Sequence, residues 1–445
     1  MQLINQLPGN GITVVDNLKK GNIHYLVLAG GKGTRSENPK IPKLLQEISP
    51  TKRVLDLLVE NFVEVSPSRI SFLISHLGNS IENELASVQR ILINWTVDCI
   101  YDPANCSGTA ISIDNAVEKS DYSYFAVIFG DTACSFNLEL LRTQWDYEKS
   151  DFAFVVHPNL HPWDSDRIGV GLNSELLEFV PKSNEIGELR LPIRSISGIL
   201  FFSKSEYQKI TNFDNDVVMK IVKGVPKDKI NVINSSYYQK DAGTQKRIQG
   251  IREDYASGVI ARRGARLRPA IFLDRDGTIF ADESQGRISV SSKEVRLDSI
   301  KAIERANSVG IPIFLVTNQP AVAKGFVSCN DVLRVQAQLE CILLEQGAYL
   351  DDFRFCPHHP VAGFDGEIEE LKIECVCRKP SIGMFTDLSD KHGIDLSDSF
   401  LIGDSEVDRQ TAANARMTYV YASYEDDKSL ALAITNSVDS IVDAN

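Results

Sequence analysis

Short apolar runs that end in glycine or aspartate recur along this 445-residue chain, and they constrain its fold more than any other feature. HYLVLAGG, YFAVIFGD, AIFLDRDG, IPIFLVTN and SFLIGDS each read as a strand buried on both faces that runs straight into a loop. Between them lie segments of helical period such as VLDLLVENFVEV and SIKAIERANSVG, the second stopped by a glycine. This alternation predicts an α/β fold with right-handed crossovers between parallel strands. Such sheets bind ligands beyond the carboxyl ends of their strands, which is where the glycines and aspartates fall.

The alternation breaks once. Residues 249–269, QGIREDYASGVIARRGARLRP, are polar and basic and carry no strand signal. We therefore expect an extension at residues 1–21, a first domain over 22–250, a linker at 251–267 and a second domain over 268–445. At about 150 residues per domain the chain has room for both.

Charge narrows the function. Lys+Arg number 47 against 60 Asp+Glu, a net charge of −13, which excludes a broad nucleic-acid footprint. A phosphorylated substrate must then be gathered by a local basic loop or by divalent cations. The first residues lack a basic flank followed by an apolar core, and no run reaches the roughly 18 apolar residues of a membrane span. The expectation is a cytoplasmic protein acting on small molecules, with no nucleic-acid or membrane partner; oligomeric state is not legible. Of eight cysteines, Cys356, Cys375 and Cys377 lie close together beside histidines, a pattern of metal binding more than of disulfides.

In the first half, a strand leads into Gly30-Gly31-Lys32-Gly33-Thr34-Arg35, with Pro42-Lys43 a few residues on. Glycines after a strand let backbone N–H groups reach phosphate oxygens, and the basic side chains add the charge a triphosphate needs. The spacing matches neither a Walker A loop nor the dinucleotide fingerprint. Asp131 ends a later strand, Asp241 sits beside a glycine turn, and Gly108 could open a helix against a base. Taken together and in order, L-A-G-G-K-G-T-R, P-K-L-L, S-G-T-A, F-G-D, F-V-P-K, S-G-I and D-A-G-T resemble the sugar-phosphate nucleotidyltransferases, over residues 23–250. The resemblance implies a mixed sheet of the GT-A-like kind. Gly30, Gly31, Gly33 and Thr34 would hold the nucleoside triphosphate, Arg35 and Lys43 would neutralise its phosphates, and Asp131 and Asp241 would hold Mg²⁺. Gly108 would contact the base and Lys182 the sugar phosphate.

In the second half, Ala270-Ile271-Phe272-Leu273 leads into Asp274-Arg275-Asp276-Gly277-Thr278. Side chains two apart on an extended strand share a face, so both carboxylates can converge on one phosphoryl group. One can attack while the other handles the leaving-group proton. Thr317-Asn318-Gln319, Arg378-Lys379-Pro380 and Gly403-Asp404-Ser405, with Asp408, follow at later strand ends. This ordered set resembles the haloacid-dehalogenase-type phosphatases, whose sheet is doubly wound and parallel. The resemblance makes Asp274 the nucleophile and Asp276 the general acid/base. Thr317 and Lys379, flanked by Asn318 and Arg378, would bind phosphate, and Asp404 would complete a Mg²⁺ site with Asp274 and Asp276.

Cys356-Pro357-His358-His359-Pro360, then Cys375-Val376-Cys377, offer three thiolates and an imidazole for a closed, structural Zn²⁺ site. His359 competes with His358 as the imidazole; the spacing and the resemblance favour His358. C-P-H-H-P with C-x-C-R-K-P is similar to the D,D-heptose 1,7-bisphosphate phosphatase branch, with histidinol-phosphate phosphatases as close relatives. The two halves then make sense in series, since a phosphatase that spares the anomeric phosphate supplies a nucleotidyltransferase. The expected product is a nucleotide-activated heptose. Guanine is implied by analogy, because no single residue in the sequence identifies the base. The competing readings are a phosphatase for another small ester and a first half that senses nucleotides without catalysis.

Overall fold

The apolar run Ile23–Leu28 becomes the central strand of the first half because both of its faces are covered by hydrophobic clusters. The computed structural model describes residues 23–31, 40–66, 68–75, 77–103, 108–145, 150–158, 165–171, 174–182, 191–283 and 285–444. In chain order the strands of this half are β1 (Ile23–Leu28), a short hairpin of β2 (Glu47–Ser49) and β3 (Lys52–Arg53), β4 (Arg69–Ile74), β5 (Thr96–Tyr101), β6 (Tyr124–Phe129) and β7 (Thr132–Ser135). They continue with β8 (Phe152–His157), β9 (Arg167–Val170), β10 (Leu176–Val180), β11 (Ile193–Ser203), β12 (Ile230–Asn234) and β13 (Tyr238–Asp241).

Nine of these strands form one sheet along the order β10-β9-β11-β6-β1-β4-β5, with β8 on β11 and β12 on β8. β1 pairs parallel to β4 and β6, whereas β11 runs antiparallel to β6, so the sheet is mixed. The one polar side chain turned into β1's core, His24, is satisfied by the hydroxyls of Ser120 (2.9 Å) and Ser71 (2.8 Å). Gly130, at the end of β6, has no room for a Cβ, which would fall 2.6 Å from the Leu28 carbonyl. That close approach brings the loops after β1 and β6 side by side.

The second half holds β14 (Ile271–Leu273), β15 (Ile313–Asn318), β16 (Asp352–Cys356), β17 (Phe400–Gly403) and β18 (Thr418–Tyr421) in an all-parallel sheet of order β16-β15-β14-β17-β18. β14 sits at its centre with Ile271, Phe272 and Leu273 fully buried. Helices cover both faces, as a parallel sheet requires. The helix Leu297–Ser308 ends where the sequence placed its stop, and Gly310 takes a φ of +83°.

Residues 251–267 depart from the expected linker. Helix Gln245–Ala256 runs into them and helix Val259–Gly264 follows, with Ile251, Val259 and Ile260 buried in the first half's core. Two arginines at the end of this stretch and just beyond it, Arg263 and Arg268, are buried. Arg263 reaches Ser236 O (2.8 Å) and Asp351 Oδ1 (2.7 Å), and Arg268 reaches Ser236 Oγ (2.7 Å) and His392 O (2.9 Å). Arg194 of β11 forms a further ion pair with Glu340, at 2.6 Å. Polarity here signals a charged junction between the halves rather than a solvated connector. No helix among the described residues is long and apolar enough to cross a membrane.

Two candidate active sites

At the carboxyl end of β14 the chain turns sharply through Asp276-Gly277. Gly277 takes a φ of +81°, and a Cβ there would fall within 3 Å of the Asp404 carboxylate, so glycine lets the loops after β14 and β17 close on each other. The same logic holds at Gly403, where a Cβ would fall 2.6 Å from the Asp408 carboxylate. Asp274, Asp404 and Asp408 are thereby gathered with carboxylate oxygens within 4.8 Å of one another. An all-oxygen set of this kind suits a hard divalent cation.

Lys379 completes the cluster from the loop after Cys377. Its ammonium lies 2.5 Å from Asp274 Oδ1 and 2.6 Å from Asp408 Oδ1, almost wholly buried. Burial works against that charge, but the two carboxylates outweigh it and hold the Lys379 pKa above its usual value. Burial, offset in part by Lys379, pushes Asp274 up to about 7, and burial with the nearby Asp408 raises Asp404.

Asp276 is placed differently from the expectation. Its carboxylate accepts from Gln319 Nε2 (2.6 Å) and Thr317 Oγ1 (3.3 Å), and its side chain lies outside the three-carboxylate cluster. Asn318 also differs: its amide bonds the Lys379 backbone in both directions, at 3.0 and 3.1 Å, so it positions that loop. Arg378 donates to the His358 carbonyl at 3.2 Å. Two members of the site carry weaker sequence signals. Asp408, four residues after Asp404, reads equally as part of the capping box it forms with Ser405, and Gln319 gives no sign that it will hold Asp276.

The cysteines and His358 converge as well. Cys356 Sγ lies 3.5 Å from Cys375 Sγ and 3.3 Å from Cys377 Sγ, Cys375 and Cys377 are 3.2 Å apart, and His358 Nδ1 is 3.2 Å from Cys377 and 3.6 Å from Cys356. Tetrahedral ligands on bonds of about 2.0–2.3 Å stand about 3.5–3.8 Å apart, close to this spacing. His359 turns away, with Nδ1 at 3.2 Å from the Val361 carbonyl. The hydrogen bond shared with Cys356 pulls the Cys377 thiol down to about 4, while that bond and burial hold Cys356 well above its usual range and burial raises Cys375. Without a cation the cluster favours a single thiolate, and a thiophilic divalent cation would admit three.

In the first half, Gly30 follows β1, with Ser75 Oγ donating to its carbonyl at 2.7 Å. Gly31 follows in the open; Gly33, Thr34 and Arg35 lie outside the described residues. Lys43 begins a short 3₁₀ turn and reaches Asp131 Oδ2 at 2.8 Å. Asp241 is brought beside Asp131 by the β7–β13 ladder, in which it faces Thr132 and the Ala242 N–H donates to the Asp131 carbonyl at 2.7 Å. Arg247, which the sequence reading passed over, pairs with Asp241. Asp131 and Asp241 thus stand near adjacent strand ends, each paired with one cationic side chain and partly open to solvent.

Gly108 opens the helix Thr109–Glu118 at a φ of +137°, and a Cβ there would fall 2.5 Å from the Asn215 carbonyl, which accounts for glycine by packing. Lys182 is exposed just after β10, its backbone N–H donating to Asp166 Oδ1 at 2.9 Å.

A mixed sheet ending in a glycine turn with paired carboxylates, joined to a parallel sheet ending in an Asp-x-Asp turn with a buried lysine, defines an α/β enzyme that couples a nucleotidyltransferase to a phosphatase of the haloacid dehalogenase type. Comparison with known proteins gives the same two parts. Residues 25–216 match the family model of the MobA-like NTP transferase domain. A D-glycero-β-D-manno-heptose-1,7-bisphosphate 7-phosphatase of Rhodopseudomonas palustris is 38% identical over 152 residues, 34% of this chain and 81% of that protein. Among solved structures, HddC from Yersinia pseudotuberculosis is 21% identical, with 52% of this chain and 99% of that chain covered at a TM-score of 0.41. The D,D-heptose 1,7-bisphosphate phosphatase from B. bronchiseptica, complexed with magnesium and phosphate, is 25% identical, with 40% and 99% covered at a TM-score of 0.32. The chain belongs, through its second half, to the D-glycero-β-D-manno-heptose-1,7-bisphosphate 7-phosphatase family, and it carries a nucleotidyltransferase domain ahead of it.

Proposed function

We propose that the second site removes the 7-phosphate of D-glycero-β-D-manno-heptose 1,7-bisphosphate. The first site then joins the resulting heptose 1-phosphate to a nucleoside triphosphate, GTP, with release of pyrophosphate. The observation that carries this is the 38% identity to a phosphatase of that name, on a chain whose other half matches an NTP transferase. The product of the first reaction keeps the anomeric phosphate that the second consumes.

In the phosphatase, the Asp274 carboxylate attacks the ester phosphorus, the bond from phosphorus to the sugar oxygen breaks, and Asp276 gives that oxygen its proton. A water, deprotonated by Asp276, then cleaves the aspartyl-phosphate and restores Asp274. Gln319 and Thr317 orient Asp276 for both proton transfers. Lys379 favours the ionised nucleophile, and Thr317 and Arg378 take phosphate oxygens. Mg²⁺ held by Asp274 and Asp404 would supply charge neutralisation at the phosphoryl group.

Cys356, His358, Cys375 and Cys377 would hold a structural Zn²⁺, since four protein ligands leave no open position. The cluster fixes the loop from which Arg378 and Lys379 project.

In the nucleotidyltransferase, an oxygen of the sugar 1-phosphate attacks the α-phosphorus in line and pyrophosphate leaves, so the protein positions and neutralises rather than attacks. Gly30, Gly31, Gly33 and Thr34 cradle the triphosphate, Lys43 and Arg35 balance its charge, and Lys182 takes the sugar phosphate. Gly108 lies against the base. Asp131 and Asp241 would hold Mg²⁺ here.

A panel of phosphate esters, with phosphate release as the readout, tests the reading. Faster hydrolysis of the heptose bisphosphate than of histidinol phosphate is expected; the reverse order would overturn the assignment.

A further inference from the structure

A cavity of about 150 Å³ lies between the two halves, and no residue assigned to either candidate site lines it. One wall is the edge strand β16 with the start of the helix Cys329–Glu345; the other is the ends of β9 and β12 with the beginning of β11. Val170 and Val232 line it from the first half, and Leu333, Phe353 and Phe355 from the second. Apolar and aromatic walls around that volume suit one flat ring system. Three cations, Arg194, Arg354 and Lys391, line the same space against a single carboxylate, Asp352. Glu340 and Asp387, which also pair with these cations, do not line it. In a chain of net charge −13 the cavity is thus a local positive surface. Burial, with the Arg354 charge adding to it, holds the Lys391 pKa below its usual value, as for a cation short of counter-charge. Lys391 is 33% exposed, so the cations reach the mouth of the cavity. Deeper in, Asn234 donates through Nδ2 to the Asp351 carbonyl at 3.0 Å, while its Oδ1 is buried without a partner among the described residues. Buried acceptors left without a donor are costly and rare.

We infer that this cavity binds a nucleotide, separately from the nucleotide that the glycine turn would hold. The base enters between the apolar walls and gives an N–H to Asn234 Oδ1, and the phosphates lie toward Arg354 and Lys391. Each of the three features excludes a simpler occupant. A sugar phosphate would answer the cations but leave apolar walls against hydroxyls. An uncharged aromatic ligand would fill the walls and leave the cations unanswered. Every common nucleobase carries an N–H beside a flat, weakly hydrated ring, and its phosphates supply the negative charge. Asp352, the one carboxylate lining the cavity, is held by His392 and Arg354, so no pair of free carboxylates stands there for a metal. The cavity is a place to bind rather than to react. Pro357, between Cys356 and His358 of the thiol cluster, also lines it, so an occupant touches the segment that carries the cluster as well as β11 and β12 of the other half.

The test uses the full chain with Mg²⁺ and the diphosphates GDP, ADP, UDP and CDP. Equilibrium dialysis counts the sites, and peptide mass mapping follows alkylation of Cys329, a half-buried thiol lining the cavity. Cys341, on the same helix but outside the cavity, is the reference. At least one diphosphate is expected to bind at two sites per chain. At ten times its Kd for the cavity it should slow Cys329 alkylation about tenfold and leave Cys341 unchanged. Lys391→Gln should weaken that protection about tenfold in Kd, the scale of one charge-assisted hydrogen bond. Cys329 alkylated at one rate with and without every diphosphate would overturn the inference and leave the nucleotidyltransferase reading standing; this arm needs no variant. Protection that Lys391→Gln leaves intact would overturn it too. A protected Cys329 with a single bound nucleotide would uphold the cavity and remove the nucleotidyltransferase reading, and binding of none would remove both.

Discussion

The Arg263 guanidinium lies 2.7 Å from Asp351 Oδ1, a pair 6% and 0% exposed that joins the two halves of the chain. Asp351 Oδ2 also accepts from the Ile313 N–H at 2.8 Å, so the carboxylate anchors the sheet of the second half while holding a helix of the first. Removing one partner of such a pair leaves an uncompensated charge and costs about 3–5 kcal/mol. Asp351→Ala should therefore lower the unfolding temperature of both halves together in calorimetry. A shift confined to one of two separate transitions would contradict this.

The two candidate sites are built on separate sheets, so their activities should separate by substitution. Asp274→Asn removes the nucleophile and should cut phosphate release by more than about 10³-fold while sparing pyrophosphate release. Asp131→Asn should do the opposite. Parallel assays of the two products check both, and loss of both activities in either folded variant would sink the separation.

Acid stability offers a third check. Burial, with Arg69 adding to it, depresses His24 from 6.5 to about 4, so the native ring stays neutral between its two serines. Above pH 6.5 this group costs nothing. As pH falls from 6.5 toward 4 the unfolded chain takes up a proton that the native one refuses, and stability drops by up to about 1.4 kcal/mol per pH unit. His24→Gln should flatten the acid limb in denaturant melts at pH 7, 5.5 and 4. Parallel limbs for the two proteins would count against it.

The Cys356/His358/Cys375/Cys377 cluster makes a metal prediction. Purified chain should carry about one zinc per molecule by elemental analysis. Cys375→Ser should lose it and weaken phosphate release several-fold without touching nucleotidyl transfer, because the cluster adjoins Lys379 and not the glycine turn. Full phosphatase activity in a zinc-free variant would refute the structural role.

Much of this was legible in the residues. HYLVLAGG, YFAVIFGD, AIFLDRDG, IPIFLVTN and SFLIGDS are β1, β6, β14, β15 and β17 in parallel pairings, because strands buried on both faces must be apolar throughout. The convergence of Asp274 with Asp404, and of the cysteines with His358, follows from their places at the ends of those strands and on the following loops. Long-range side-chain partners were not legible. Nothing local marks Gln319 as the partner of Asp276 or Arg247 as that of Asp241, since each depends on loops meeting in space. The helices within 251–267 were not legible for a related reason: Arg263 is polar in composition but buried against a carbonyl and a carboxylate far away in sequence.

The central claim is that one chain works twice on one sugar. Phosphorus NMR of the purified protein with D-glycero-β-D-manno-heptose 1,7-bisphosphate, GTP and Mg²⁺ follows every species at once. The account predicts loss of the 7-phosphate signal first, a transient heptose 1-phosphate, and then paired growth of pyrophosphate and a nucleotide-diphosphate sugar. Removal of the anomeric phosphate, or accumulation of heptose 1-phosphate with no pyrophosphate under any nucleoside triphosphate, would contradict it.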